Sequence, residues 1–287
     1  ASLSLRLAVE EGVDAPYVVI YKRRDDVRQD EFMLQMFVYI DQLLRREGLD
    51  LRVKPYRVLA TGANEGLIEY VSGSTPLSSV RERLAGVCPT AVASNNPLQT
   101  YLRCRNFDAY APYFVRPEAM DAFVRTCAAG CVVSYLLGVG DRHLDNILIN
   151  DGGSLIQIDF GWAFGREPKP FASKVKMTRE MALGMGGEGA EPYRAFTSLC
   201  CEAFLALRRR AATLFSMVRL MTDAELPDLS VNQEPSEVVA MLQDRFDLGR
   251  SDEEAAERLQ TVIADSLTAV MPVVMEKVHR LANYMRA

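Results

Sequence analysis

The sequence predicts an α+β fold of two lobes, a small β-rich N-lobe followed by a larger helical C-lobe. Three observations predict it. β-branched and aromatic runs with one long helical repeat fill residues 1–71. Helical periodicity dominates from residue 117 onward, and a short strand–turn–strand signature interrupts it near residue 150.

Taken in order, "PYVVIYK" (16–22) reads as a strand with Lys22 at its end. In the segment that follows, Val27, Phe32, Leu34, Met36, Phe37, Ile40, Leu43 and Leu44 recur at helical spacing, with Gly48 as the stop. "LRVKPYRVLA" and "GLIEYV" read as two further strands around the turn "TGANEG". Between residues 81 and 116 the composition loosens, which predicts a mobile loop before a short helix over 98–105. "PEAMDAFVRTCAAGCVVSYLLG" opens on proline and closes on glycine, the asymmetry of a helix. "NILIND" and "SLIQIDFG" flank Gly152 and Gly153 as a hairpin would. The remainder reads as helical apart from loops at 161–175 and "LPDLSVNQEP".

Composition narrows the class. The 287 residues are 49% hydrophobic and 25% charged, ordinary globular values with enough length for a core. A net charge of -5 argues against nucleic acid as a partner. No apolar run reads as a membrane span, the start is no signal peptide, and the absence of an initial methionine implies a longer parent protein. Six cysteines form no C-x-x-C pair and have no histidine at zinc spacing, which predicts buried free thiols in a reducing compartment. Cys127 and Cys131, one helical turn apart, read as core.

The chemistry concentrates in "GVGDRHLDN" (138–146), directly after an apolar run. Asp141 and Asn146 stand five positions apart, the spacing of aspartate and asparagine in the protein-kinase catalytic loop H-R-D-x-x-x-x-N. Asp159 opens a D-F-G triplet at the end of the hairpin. Phosphoryl transfer needs magnesium ligands from two segments, a cation on the phosphates and an acceptor for the hydroxyl proton. Lys22, with acidic residues on the next helix to hold it, is the candidate cation. Here H-R-D has become D-R-H, which makes His143 a candidate base, because an imidazole can take a proton from an alcohol near neutral pH.

Taken together, "KRRDDVRQDEFMLQ", "LDLRVKPYRVLATG", "LLGVGDRHLDNILI", "IDFGWAFGREPKP" and "MALGMGG" resemble the kinase domain of a class III phosphatidylinositol 3-kinase. The likeness runs through essentially the whole chain. It implies a bilobal protein-kinase-like fold of the phosphoinositide 3/4-kinase type, with an N-lobe over 1–71 and a C-lobe over 72–287. The C-lobe would carry a catalytic loop at 138–146, an activation loop at 159–177 and a C-terminal amphipathic helix. The implied reaction moves the γ-phosphate of ATP to the 3-hydroxyl of phosphatidylinositol, with magnesium or, alternatively, manganese.

By that resemblance Lys22 contacts the nucleotide phosphates, and Asp30 and Tyr56 line the inner adenine pocket. Glu69 and Val71 offer hinge backbone groups beside Tyr70. Asn146 and Asp159 hold the metal, His143 activates the inositol hydroxyl, and Asp141 orients or assists. Tyr70 equally suits packing, Asp26 reads as a helix-start acid and Trp162 as a packing anchor. Arg166, Lys169, Lys174 and Lys176 stand with Arg179 against Glu167 alone, a cation cluster suited to an anionic headgroup or to plain solvation. No run of adjacent lysines is present, so unphosphorylated phosphatidylinositol is the expected substrate.

The resemblance further implies membrane phosphatidylinositol as a partner, together with a regulatory pseudokinase-type subunit and autophagy or endosomal adaptor subunits bound through regions outside this chain. The implied location is cytoplasmic and peripheral on endosomal, vacuolar or autophagic membranes. In the last helix Met275, Val278, Leu281, Ala282 and Met285 share a face that suits a membrane surface or the lobe itself. Two departures stand out: Arg24 where the family usually has glycine, and Met285 near an expected aromatic. A related protein kinase and a catalytically inactive assembly module are the rival readings. The activation-loop composition argues against the first, and intact Lys22, Asn146 and Asp159 argue against the second.

Overall fold

The computed structural model describes residues 2–7, 17–87, 94–169 and 172–268. The expected C-terminal helix with Met275, Val278, Leu281, Ala282 and Met285 lies outside them, as does Cys88.

Four antiparallel strands form the first sheet, in the order β1 (Ser2–Leu7), β2 (Tyr17–Arg23), β4 (Glu65–Glu69), β3 (Val58–Gly62). Lys22 sits opposite Gly66 in this register. Helix α1 (Arg28–Arg46) follows β2 and buries Met33, Met36, Ile40 and Leu44 completely along one stripe. Asp30 and Glu31 in its first turn and Arg45 and Arg46 in its last complement the helix dipole.

The expected strand over 51–60 is only partly present, since β3 begins at Val58. Arg52 takes a left-handed φ of 52° and Pro55 has no N–H to give a ladder. The segment instead runs irregularly and buries Leu51 and Tyr56.

The second sheet is β5 (Ser74–Pro76), β6 (Ile147–Asn150) and β7 (Leu155–Gln157), all antiparallel. Part of the expected loop after residue 81 is helical: α2 (Val80–Val87) buries Val80 and Leu84 one turn apart. Helices α3 (Pro97–Arg105) and α4 (Pro117–Leu136) follow. The larger lobe then adds α5 (Arg179–Gly184), α6 (Glu191–Arg208), α7 (Ala211–Leu220), α8 (Pro235–Phe246) and α9 (Asp252–Thr268).

Helix α4 is long and apolar enough, by length and composition, to cross a membrane, contrary to the sequence reading. Some 89% of its apolar window is buried against the rest of the protein, so it is the central core helix. Cys127, Cys131 and Cys200 lie in this core as free thiols. "LPDLSVNQEP" holds a π-helical turn, Pro227–Val231, before a capping box of Glu234 and Glu237 starts α8.

Arg24 follows β2 with φ at 63°, a region where an L side chain costs about 1 kcal/mol. That backbone explains why glycine suits the position. Arg24→Gly is therefore expected to leave the melting temperature unchanged or raise it by about 2–4 °C, and Arg24→Val to lower it, in a thermal denaturation series.

Candidate active site

The apolar end of α4 delivers the chain to residues 138–146, and close packing fixes the loop there. A Cβ at Gly140 would overlap the Arg166 carbonyl oxygen, so only glycine lets the two loops approach. Gly140 N–H donates to the Trp162 carbonyl at 2.9 Å. Asp141 then turns left-handed, with φ at 47°, and its carbonyl accepts from His143 N–H at 2.9 Å and Asn146 Nδ2 at 3.1 Å.

Arg142 ties this loop to the hairpin. Its guanidinium donates to the carbonyls of Gly140 (2.9 Å), Ile158 (2.8 Å) and Asp159, and to Gln157 Oε1 at 3.2 Å. It also lies 5.4 Å above the Phe160 ring. Ile158 N–H donates to the Asn146 carbonyl at 3.1 Å. These bonds bring Asn146 beside the Asp159 segment, as two metal-holding segments require.

His143 is almost buried between two carboxylates. Its Nε2 lies 3.5 Å from Asp141 Oδ2 and its Nδ1 3.6 Å from Asp145 Oδ2. Asp145 in turn accepts from Ser78 Oγ. Burial alone would raise the Asp141 pKa, but bonds from His143 and Lys169 outweigh it and bring it down to about 2.

Asn146 and Asp159 fit a hard divalent cation. With Nδ2 of Asn146 donating to Asp141, its Oδ1 is the atom left to ligate, and the Asp159 carboxylate is exposed beside it. Oxygen donors of this kind suit magnesium or manganese. Among the described residues no cluster of three or more His, Cys, Asp or Glu side chains offers another metal centre.

Lys22 pairs with Asp25 at 2.9 Å, three residues on and before the helix, where the sequence suggested an acid on the helix itself. Burial works against its charge. The Asp25 hydrogen bond and the Asp25, Asp159 and Asp30 carboxylates outweigh burial and hold its pKa above the usual value. Lys22 thus stands in the field of Asp159.

Asp30 and Tyr56, expected to line the inner adenine pocket, are both buried. Phe160 N–H donates to Asp30 Oδ1 at 2.9 Å, so Asp30 holds the D-F-G backbone. Burial pushes its pKa up to about 6, and the neighbouring Asp159 charge adds to this. Tyr56 is also pushed upward, by burial and then by the Asp30 charge.

At the expected hinge, Glu69 N–H donates to the Arg57 carbonyl at 2.8 Å and Tyr70 N–H to the Val18 carbonyl at 3.0 Å. Val71 N–H donates to no acceptor among the described residues, which suits an adenine contact. The Tyr70 ring is 49% exposed.

Three of the cations expected to form the cluster have acidic partners. Arg166 pairs with Asp228 at 2.8 Å, Lys169 with Asp141 at 2.8 Å and Lys174 with Asp244 at 3.5 Å. The Lys176 carbonyl lies 3.8 Å from Cys131 Sγ. The expected cation cluster is therefore largely neutralised within the fold. Sequence reasoning missed the roles of Arg142, Gln29 and Asp228, whose partners the fold brings in from other segments.

The phosphatidylinositol 3- and 4-kinase family model matches residues 16–231. The chain belongs to the phosphatidylinositol 3- and 4-kinase family. It is 39% identical over 283 residues to the phosphatidylinositol 3-kinase pik3 of Schizosaccharomyces pombe, covering 99% of this chain and 34% of that protein. Identity is 37% over 268 residues to phosphatidylinositol 3-kinase VPS34 of Arabidopsis thaliana, covering 93% of this chain and 31% of the relative. For VPS34 of Saccharomyces cerevisiae it is 35% over 287 residues, covering 100% and 31%. The chain spans about a third of the length of these curated relatives. The expected α+β kinase fold and the class III likeness are borne out. Membership of this kinase family implies ATP and a divalent metal ion.

Asp30 yields a pH prediction. Its folded pKa of about 6 exceeds the ordinary carboxyl value, so between about pH 4 and 6 folding takes up a proton. Its contribution is fully present below that window, falls as pH rises through it and levels off above. Urea titrations should show the wild type losing on the order of 2–3 kcal/mol relative to Asp30→Asn across this window. A pH-independent difference would contradict the assignment.

Proposed function

We propose that this kinase domain transfers the γ-phosphoryl group of ATP to the 3-hydroxyl of phosphatidylinositol, giving phosphatidylinositol 3-phosphate. The observation that carries the reading is His143, set between Asp141 and Asp145 on the same short loop as Asn146 and next to the Asp159 segment. Relatives named phosphatidylinositol 3-kinase, alike over nearly the whole chain, support the substrate.

In this reading His143 accepts the inositol hydroxyl proton. Asp141, held near 2, has too little proton affinity to serve as the base at neutral pH, and it orients His143 and receives Lys169. Lys22 steadies the nucleotide phosphates, and its raised pKa keeps it charged. Val71 N–H and the Glu69 backbone take adenine, with Tyr70 at the rim and Asp30 and Tyr56 behind. Asn146 and Asp159 hold magnesium, which when bound neutralises charge on the phosphoryl oxygens. Lys169, Lys174 and Lys176 are the cations for the headgroup phosphate. In a longer parent protein the domain would act on endosomal, vacuolar or autophagic membranes, with regulatory and adaptor subunits bound outside this chain.

The test offers phosphatidylinositol vesicles and a peptide mixture with labelled ATP, and identifies the lipid product by ring position. Label at the 3-position is expected; label confined to peptides would reject the reading. His143→Ala should lower turnover by about 10²–10⁴-fold, and Asp141→Asn by less. The reverse order would move the base to Asp141.

A further inference from the structure

Asp228 is 1% exposed, in the π-helical turn before α8, and four donors converge on its carboxylate. Oδ1 accepts from an Arg166 terminal guanidinium nitrogen at 2.8 Å and from Asn232 Nδ2 at 3.2 Å. Oδ2 accepts from Ala163 N–H at 2.9 Å and from Gln29 Nε2 at 3.3 Å. Gln29, also 1% exposed, takes the Asp228 N–H on its Oε1 at 2.7 Å and donates from Nε2 to the Phe160 carbonyl at 2.8 Å. The Arg166 guanidinium lies 4.9 Å above the Trp162 ring.

Three segments far apart in sequence are thus joined: the first turn of α1, residues 160–166 just beyond Asp159, and the turn at 227–231. A carboxylate this deeply buried needs a compensating cation, and Arg166 is the one paired with it among the described residues. The charge of Arg166 is therefore committed inside the protein, with its plane fixed by the Trp162 ring. Both ends of the bridge act on backbone that leads directly out of Asp159.

We propose that Asp228 is a positioning residue which, with Gln29 and Arg166, locks the first turn of the activation loop against α1 and so sets Asp159, and that Arg166 serves this lock and not the lipid headgroup. The proposal rests on the lipid-kinase reading above for its kinetic test. Arg166→Met, Arg166→Lys, Asp228→Asn and the double variant Arg166→Met/Asp228→Asn are compared in the full chain on phosphatidylinositol vesicles. Lipid and magnesium-ATP are varied separately.

Arg166→Met and Asp228→Asn are each expected to lower kcat about tenfold or more, with the KM for lipid within about twofold of wild type. The double variant should be no worse than the poorer single one, and Arg166→Lys should recover part of the loss. A raised lipid KM at unchanged kcat in Arg166→Met would assign Arg166 to the headgroup and overturn the proposal. Losses that multiply in the double variant would also overturn it. Arg166 is partly exposed, so its variants keep the test available should Asp228→Asn fail to fold. The thermal shift on magnesium-ATP is the second measurement, independent of lipid. A smaller shift in Arg166→Met than in wild type supports the lock, and an equal shift counts against it. Wild type that gives this shift but no lipid product would reject the lipid reading and leave the lock judged by the shift alone.

Discussion

The site depends on where one guanidinium lies. Arg142 joins the 138–146 loop to the hairpin, donating to the carbonyls of Gly140, Ile158 and Asp159. Carbonyl oxygens at the ends of irregular segments have no ladder partner, and a planar fork of donors is the side chain that satisfies several of them together. Burial pulls the Arg142 pKa down, and the neighbouring Asp159, Asp141 and Asp30 carboxylates oppose that pull. With Arg142 in place, two residues remain left-handed, Asp141 at φ 47° and Asp159 at φ 60°. Each such backbone costs about 1 kcal/mol, and both flank the groups that would do chemistry.

Around this point like residues behave in opposite ways because their surroundings differ. Asp141 has Lys169 and His143 within reach and stays ionised to about pH 2. Asp30 has a single backbone donor and a neighbouring carboxylate in a dry pocket, and its pKa rises to about 6. Lys22 is kept charged by Asp25, Asp159 and Asp30 around it. A cleft that gathers acids around one lysine suits a substrate that arrives with its own cation. The extra negative charge is tolerable only where bound metal would share it.

The residues legible from sequence were those whose partners lie nearby in the chain. Asp141, His143 and Asn146 fall within six positions, and Asp159 follows across one hairpin, so spacing alone brought them together. The long apolar stripe of α1 and the core helix α4 were legible for the same reason: helical periodicity is a local property. The strand expected over 51–57 failed where Arg52 and Pro55 broke the extended backbone, though its apolar residues still reached the core. Gln29 and Asp228 were illegible because 199 positions separate them, and neither residue type signals burial. The cation cluster misled for a related reason. Counting charges along a loop gives no account of acids that the fold brings in from elsewhere, and here Asp228, Asp141 and Asp244 all come from other segments.

Those three pairs are not equivalent, and the difference follows from solvent. Lys174 and Asp244 are both about half exposed and 3.5 Å apart, so water and salt screen the pair and either partner can exchange for another ion at little cost. Lys169 and Asp141 are each about a quarter exposed and 2.8 Å apart, so solvent ions compete for this pair less readily. Asp228 is shut away from water, so Arg166 cannot leave without stranding a buried carboxylate. Exchangeability therefore falls from Lys174 through Lys169 to Arg166 as the acid partner becomes more buried. Within 166–174 the cation paired with a buried acid holds the shape of the loop, and the one paired with a half-exposed acid exchanges readily with solvent ions.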